Sequence, residues 1–268
     1  MRTIAVVTGT RAEYGYLKPL MTAIEQDKDL ALMPLVTGMH LLKDFGCTGS
    51  MVQKDFPKAI TITMDLPGDR LSDMAKYLAS GIMNFSEYLQ THRPDVVVVL
   101  GDRSESLAAA LAALYLNIPI AHINGGDVSG TTIDESIRHA ITKLAHLHFV
   151  HTKENATRVQ KMGEDPAHIY VTGSLALDTI LHTPLPSKAE IFAKYQLDPH
   201  KPMFLMIQHP VTTLPDKGLS QLKALLSALD TLNEQTVVIY PNCDAGGQEF
   251  IAYLRSYKKK PYIHAFQN

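Results

Sequence analysis

Short β-branched runs alternate with longer helical patterns along the whole chain, and most of the runs lack a polar residue at every second position. They are Ile4–Thr8, Leu32–Val36, Val96–Leu100, Ile118–His122, His148–His151, Ile169–Thr172, Phe204–Gln208, Val237–Tyr240 and Tyr262–Ala265. A strand with one wet face alternates apolar and polar residues, whereas a strand covered on both faces reads as continuous apolar sequence. VVVVL at Val96–Leu100 is the clearest case. With helical segments between the runs, the chain reads as an α/β protein whose parallel sheet is wrapped by helices. The segment Ser104–Tyr115 (SESLAAALAALY) is apolar on nearly every side, so more than one sheet face must cover it. A dimer contact or a second domain is the expected cover.

The stretch HTPLPSKAEIFAKYQLDPHKP (His182–Pro202) gathers Pro184, Pro186, Pro199 and Pro202 around one short amphipathic segment. It predicts an N-terminal domain over 1–182, a Pro-rich linker over 183–202 and a C-terminal domain over 203–268. A new βαβ series starts there, so both domains are expected to be doubly wound and Rossmann-like. The second carries only the last three of the runs, stops at Asn268 just after one of them, and reads as incomplete.

Composition excludes several function classes. With 25 Lys plus Arg against 27 Asp plus Glu, a net charge of −2, no dominant surface for nucleic acid or anionic membrane is expected. The start, MRTIAVVTGT, has too short an apolar run for a secretory signal, and nowhere do ~18 apolar residues run together, which predicts a cytoplasmic protein. Cys47 and Cys243 lie far apart without a CxxC spacing, against a disulfide framework or a structural zinc module. His146, His148 and His151 lack a carboxylate or Cys at metal-ligand spacing, so no metal is expected.

In an open α/β sheet, ligands bind outside the carboxyl ends of the strands. The residues following each run are therefore the candidates. After Ile4–Thr8 comes TGTRAEYG, where Thr10 and Glu13 have capping-box spacing and Arg11 stands at a helix N-terminus that attracts anions. The absence of GxGxxG disfavours a nicotinamide dinucleotide, and no cofactor is expected. After Val96–Leu100 come Gly101, Asp102 and Arg103; Asp102 either caps the next helix or faces a ligand, and Arg103 either holds a phosphate or pairs with Asp102. The densest segment is INGGDVSGTTIDESIRH (Ile123–His139), with Asn124, Asp127, Ser129, Asp134 and Glu135. Thr132 and Glu135 fit a second capping box, and Asp134 either pairs with Arg138 at i,i+4 or faces the cleft. Later, FLMIQ runs into His209 and VVIY into Asn242, again polar groups at strand ends.

Taken together, TGTRAEYG, VTGMHL (Val36–Leu41), GDR (Gly101–Arg103), HINGGDVSG with IDESIRHAITKLAH (His122–His146), GS followed by Asp178, QHPVTT (Gln208–Thr213) and YPNCDAGG (Tyr240–Gly247) closely resemble the hydrolysing UDP-N-acetylglucosamine 2-epimerases of sialic-acid biosynthesis. The match spans the chain in order and spacing. The resemblance implies a glycosyltransferase-B-like pair of domains, a homodimer, and a UDP-sugar in the interdomain cleft. It implies conversion of UDP-N-acetylglucosamine and water to N-acetylmannosamine and UDP through a 2-acetamidoglucal. By motif it implies catalytic roles for Asp102 and Asp134 and a place near the leaving diphosphate for His209, with Arg11, Arg103 and Asn242 contacting the nucleotide sugar. Better-known members carry Glu where this chain has Asn124, an amide that can position a sugar but cannot exchange a proton; Asp127 is the residue expected to compensate.

Three alternatives stand beside this one. Close relatives act on a UDP-2,4-diacetamido-trideoxy sugar; a non-hydrolysing epimerase would share fold and intermediate; and a non-catalytic nucleotide-sugar-binding or assembly subunit is a reading from another class. In the family, the region beyond the length of this chain brings a Ser-rich turn for the diphosphate and a Glu for the ribose. The 268-residue chain alone is therefore expected to bind UDP weakly and to be inactive.

Overall fold

The computed structural model describes residues 1–130, 132–257 and 260–267. Its elements in chain order are β1 (Arg2–Thr8), α1 (Arg11–Gln26), β2 (Leu30–Val36), α2 (Gly49–Asp55), β3 (Ile60–Thr61), α3 (Leu71–His92), β4 (Val96–Leu100), α4 (Ser104–Tyr115), β5 (Ile120–Ile123), α5 (Ile133–Leu144), β6 (Leu147–Val150), α6 (Lys153–Lys161), β7 (Ile169–Val171), α7 (Leu175–His182), α8 (Lys188–Lys194), β8 (Phe204–Ile207), α9 (Gly218–Leu232), β9 (Thr236–Ile239), α10 (Gly247–Tyr257) and β10 (Ile263–Phe266). The chain forms two compact units, one comprising Met1–Lys43, Cys47–Pro67 and Ala75–Thr183, the other the short segments Asp44–Gly46 and Gly68–Met74 with the chain from Pro184 onward.

The first unit is built on a seven-stranded sheet in the order β3-β2-β1-β4-β5-β6-β7, with every pairing parallel. Its continuous apolar strands serve two cores at once. Ala5, Val7, Leu35, Val97, Val99 and Ile120 pack on one face with residues of α3 and α4; Val6, Val36, Val98, Leu100, Ala121 and Ile123 pack on the other with Tyr14, Leu17, Met21 and Ile24 of α1. Neighbours in a strand point to opposite faces, so both sets must be apolar and no alternation survives in the sequence. Each apolar run of the sequence lies within two residues of an observed strand. The strand β3 has no counterpart among those runs; it has two residues, both exposed.

The order of strands reverses at β1, whose neighbours are β2 and β4. A parallel sheet opens a crevice at such a switch point, and here the crevice lies outside the carboxyl ends of β1 and β4. Although Tyr115 at its end is 83% exposed, most of the helix α4 is covered inside its own unit. It lies on β1, β4 and β5, contacts α5, and meets α3 where Gly81 comes so close that a Cβ there would stand 2.9 Å from Ala108 Cβ.

The second unit holds a three-stranded parallel sheet in the order β10-β9-β8, with Leu222, Leu226 and Leu229 of α9 and Phe250, Ile251 and Leu254 of α10 buried. The Pro-rich stretch belongs to it. There α8 starts with a capping box of Ser187 and Glu190, Leu197 is buried, and Gln235 ties the segment down by donating to the Asp198 and Lys201 carbonyls at 2.8 and 3.2 Å while accepting from the Asp198 N–H at 2.9 Å. Among the described residues, no helix is long and apolar enough to cross a membrane.

Candidate active site

At the carboxyl end of β1, the spacing of Thr10 and Glu13 does fold into a capping box. Thr10 Oγ1 accepts the Glu13 N–H at 3.2 Å, while Glu13 Oε2 accepts the N–H groups of Thr10 and Gly9 at 3.0 and 2.7 Å. This holds the strand-to-helix turn rigid and leaves Arg11, the first residue of α1, exposed at a helix N-terminus. Glu13 is itself buried, and its other oxygen, Oε1, finds no hydrogen bond among the described residues. Burial and the charge of Glu105 push Glu13 up to about 7, with Arg103 and the two backbone N–H groups pulling the other way.

Sequence reasoning missed Glu105. It is fully buried in the first turn of α4, accepts the Tyr77 hydroxyl at 2.8 Å, and stands 3.3 Å from Arg103 Nε. Its side chain also fills the space beside two glycines: a Cβ on Gly9 would come within 2.9 Å of it, and one on Gly38, at φ +60°, within 2.4 Å. A charged residue inside an otherwise apolar helix must be paired, and that is the signal SESLAAALAALY offered. Nearby, His40 joins Thr8 Oγ1 (3.0 Å) to Thr48 Oγ1 (2.8 Å), and burial lowers it to about 4, so it is neutral.

At the ends of β4 and β5 the arrangement turns on Arg138. This buried side chain on α5 pairs through Nη2 with Asp102 Oδ2, and through Nη1 with Glu135 Oε2 at 3.1 Å, the Asp127 carbonyl at 3.2 Å and Ser129 Oγ at 3.1 Å. The i,i+4 pair with Asp134 suggested by the spacing is not formed, and neither is the second capping box. Thr132 caps without a side-chain hydrogen bond, while Glu135 reaches back to accept the Ser129 N–H at 2.7 Å. Asp134 stands in the first turn of α5, partly exposed. Beneath Asp102, the buried ring of His122 donates from Nε2 to the Gly101 carbonyl at 2.7 Å, since a carbonyl can only accept, and burial lowers this histidine to about 4.

Asn124 follows β5 directly, in the left-handed region at φ +68°, which asparagine tolerates better than any other residue but glycine. Its N–H donates to the Phe149 carbonyl at 3.0 Å, and its Oδ1 is buried without a hydrogen bond among the described residues. Gly126 is needed on two counts: its φ is +80°, and a Cβ would stand 2.7 Å from the Asn155 carbonyl oxygen. Asp127 then lies between two side chains, with His151 Nδ1 3.1 Å from Oδ2 and Asn155 Nδ2 donating to Oδ1.

In the second unit, Asn242 follows β9 and donates its N–H to His209 Nδ1 at 3.1 Å. That nitrogen is then the acceptor, which places the proton of a neutral ring on Nε2. The Asn242 side chain turns to Asp244 Oδ2 at 2.5 Å.

A family model described as UDP-N-acetylglucosamine 2-epimerase matches residues 22–268. The chain belongs to this epimerase family. It is 37% identical over 269 aligned residues, all of this chain and 71% of the other, to a UDP-N,N'-diacetylbacillosamine 2-epimerase (hydrolyzing) of Legionella pneumophila. It is 35% identical over 98% of its length, and 69% of the other's, to a UDP-N-acetylglucosamine 2-epimerase of Neisseria meningitidis, and 34% identical over 97% of its length, and 68% of the other's, to a GDP/UDP-N,N'-diacetylbacillosamine 2-epimerase (hydrolyzing) of Campylobacter jejuni. Solved structures share the fold. The S. aureus MnaA–UDP co-structure superposes with a TM-score of 0.73 at 24% identity, over 99% of this chain and 69% of that one. The Methanocaldococcus jannaschii UDP-GlcNAc 2-epimerase in complex with UDP-GlcNAc and UDP gives 0.78 at 16% identity, over 98% and 73%.

In this epimerase-family chain, the first unit carries Arg11, Asp102, Arg103, Asn124, Asp127 and Asp134 on loops after β1, β4 and β5; the second carries His209 and Asn242 after β8 and β9. Arg138 links Asp102 to the backbone of Asp127, a connection between separate elements that no local spacing announced. A cleft of ≈ 820 Å³, lined by Asp69, Arg70, Lys223, Gly246 and Glu249 among others, contains none of the candidate residues. The strand-end arrangement of carboxylates is therefore the better guide to chemistry than concavity.

Proposed function

We propose that this protein is a hydrolysing 2-epimerase that converts UDP-N-acetylglucosamine and water to N-acetylmannosamine and UDP through a 2-acetamidoglucal. The observation that carries the reading is the gathering of the Asp102 and Glu135 carboxylates and the Asp127 backbone carbonyl around the buried guanidinium of Arg138 at the carboxyl ends of β4 and β5, with Asp134 one turn before it on α5. The chemistry asks for such a set. The sugar C2 proton is weakly acidic, so the C1–O bond must lead in breaking, and the positive charge that grows on the ring needs a carboxylate near it. Asp102 and Asp134 are the groups assigned to stabilise that charge and to take the proton from C2. Arg138 pairs with Asp102 and fixes its direction. Arg11 and Arg103 offer cations to the diphosphate, Arg11 at a helix N-terminus that also attracts it. His209, whose Nδ1 accepts the Asn242 N–H, is the group assigned to the leaving diphosphate.

The hydrolysing branch is supported by the two relatives, at 37% and 34% identity, whose names include that activity. The first of these also favours a second reading of the sugar, a UDP-2,4-diacetamido-trideoxy sugar. The intact gene product incubated with each UDP-sugar, with products followed by proton NMR, tests both points. Free UDP and a 2-epimerised free sugar are expected. An interconversion of UDP-sugars with UDP retained overturns the hydrolysing assignment, and the ratio of kcat/KM for the two substrates assigns the sugar.

A further inference from the structure

Inverting C2 by elimination and hydration moves two protons on opposite faces of the ring: one leaves C2 as UDP departs, and another is delivered to C2 as water adds to C1. A single rigid group cannot serve both faces, so a second proton-exchanging group is required. Asn124 cannot be that group, because an amide does not exchange a proton near neutrality. We propose that His151, held by Asp127, is the group that delivers the proton to C2; this rests on the epimerase reaction proposed above.

The placement argues for it. His151 follows β6 directly, and β6 pairs with β5 in a register that sets Phe149 opposite Ile123; the Asn124 N–H then bonds to the Phe149 carbonyl at 3.0 Å. His151 is thus beside Asn124 at the carboxyl edge of the sheet. Its Nδ1 is 3.1 Å from Asp127 Oδ2, and a carboxylate there fixes the proton on Nδ1 and leaves Nε2 as the working nitrogen. Asp127 is itself fixed. Asn155 donates to its Oδ1, and Thr152 Oγ1 donates at 2.7 Å to Asn155 Oδ1, which sets the direction of that amide. The backbone carbonyl of Asp127 is in turn held by Arg138, the side chain that pairs with Asp102.

The other imidazoles of this unit's interior do not offer the same thing. His40 and His122 are buried with both nitrogens engaged, His148 is buried, and His139, which touches Glu135 through Nε2 at 3.0 Å, has its Nδ1 buried without a partner among the described residues. The His151 side chain is 24% exposed and its Nε2 makes no hydrogen bond among the described residues. In the proposed step the imidazolium gives its Nε2 proton to C2 while the oxygen of water bonds to C1 and that water's proton passes to solvent. The C1=C2 π electrons form the new C2–H bond, Asp127 keeps the neutral ring in its Nδ1–H form, and Nε2 is reprotonated from solvent.

The test compares the intact gene product with His151→Ala, His151→Gln and Asp127→Asn. The dyad predicts that the His151 variants make the epimerised sugar at least about a hundredfold more slowly while still releasing UDP, so that 2-acetamidoglucal accumulates in the NMR spectrum. Asp127→Asn shows the same glycal in smaller amount, and added imidazole restores sugar formation to His151→Ala. A merely structural histidine would slow UDP release and sugar formation together and leave no glycal. Should a variant fold poorly, ¹⁵N NMR of the wild-type imidazoles decides: the neutral His151 ring must carry its proton on Nδ1, and a proton on Nε2 overturns the proposal. Formation of sugar by folded His151→Ala and His151→Gln within threefold of wild type also overturns it and leaves the epimerase reading intact. A wild type that releases UDP from neither UDP-sugar overturns both.

Discussion

Arg138 is a single side chain whose four contacts hold two loops and a helix together, which makes it the most exacting residue of the candidate site. Arg138→Met removes the cation and leaves Asp102 and Glu135 facing each other's charge in a partly dry place, so we expect a loss of about 3 kcal/mol in urea unfolding. Arg138→Lys, a point charge without the planar fork, is expected to recover less than half of that loss. Asp102→Asn keeps the shape and is expected to lower kcat at least about a hundredfold with the Kd for UDP unchanged. Equal turnover in the variant would take Asp102 out of the chemistry. Glu13 carries a pH prediction with a definite sign. Its folded pKa is raised from 4.5 to about 7, so the folded chain binds more protons than the unfolded chain between those values. The stability this group contributes is complete at low pH and is lost as pH rises through about 7. Glu13→Gln keeps an acceptor for the Gly9 and Thr10 N–H groups but cannot ionise. Its unfolding free energy in urea should match wild type near pH 5 and exceed it near pH 8, by an amount of order 2–3 kcal/mol. A variant less stable than wild type at pH 8 would show that the ionised carboxylate is favoured where it lies.

Among the elements, two glycines in helices separate what a Cβ does in open space from what it does at a crossing. Gly15 in α1 has no atom within 4 Å of a would-be Cβ, whereas one on Gly81 in α3 would meet Met64 Cε at 2.6 Å and Ala108 Cβ at 2.9 Å. Gly15→Ala should stabilise by roughly 0.5–1 kcal/mol through helix propensity. Gly81→Ala should destabilise by about 1–3 kcal/mol, since Ala108 belongs to a helix packed on the sheet and cannot retreat. Thermal unfolding of the two variants measures this, and the same sign for both would mean that the α3–α4 crossing is looser than its geometry. The same contrast between local and distant determinants decides what the sequence revealed. The strands were legible because burial on both faces writes itself into consecutive residues, and the Thr10–Glu13 cap because its partners stand three apart. The Thr132–Glu135 spacing misled, because Glu135 found the Ser129 N–H and Arg138 instead, a choice fixed by the shape of a loop and not by spacing. Glu105, His151 and the Arg138–Asp102 pair depend on which strand lies beside which, and β3 was too short and too exposed to leave a pattern.

Across the whole molecule, the two units differ in how well their sheets are covered. The seven-stranded sheet has apolar cores on both faces, while the edge strand β8 of the three-stranded sheet leaves Phe204 40%, Leu205 60% and Ile207 54% exposed. Amides open more readily where fewer apolar contacts hold them, so hydrogen exchange should be slowest in β1, β4 and β5 and at least about a hundredfold faster in β8. Equal protection of β8 and β4 would mean that β8 is covered in solution. The central claim, that carboxylates at the ends of parallel strands drive elimination and rehydration of a UDP-2-acetamido sugar, predicts one chemical signature above others: exchange of the C2 hydrogen with solvent. The direct measurement is to incubate the intact gene product with UDP-N-acetylglucosamine, and separately with the 2,4-diacetamido sugar nucleotide, in D₂O and to read the products by NMR. The account predicts free UDP and a 2-epimerised sugar carrying deuterium at C2. Release of UDP with the C2 hydrogen and its configuration retained would contradict it.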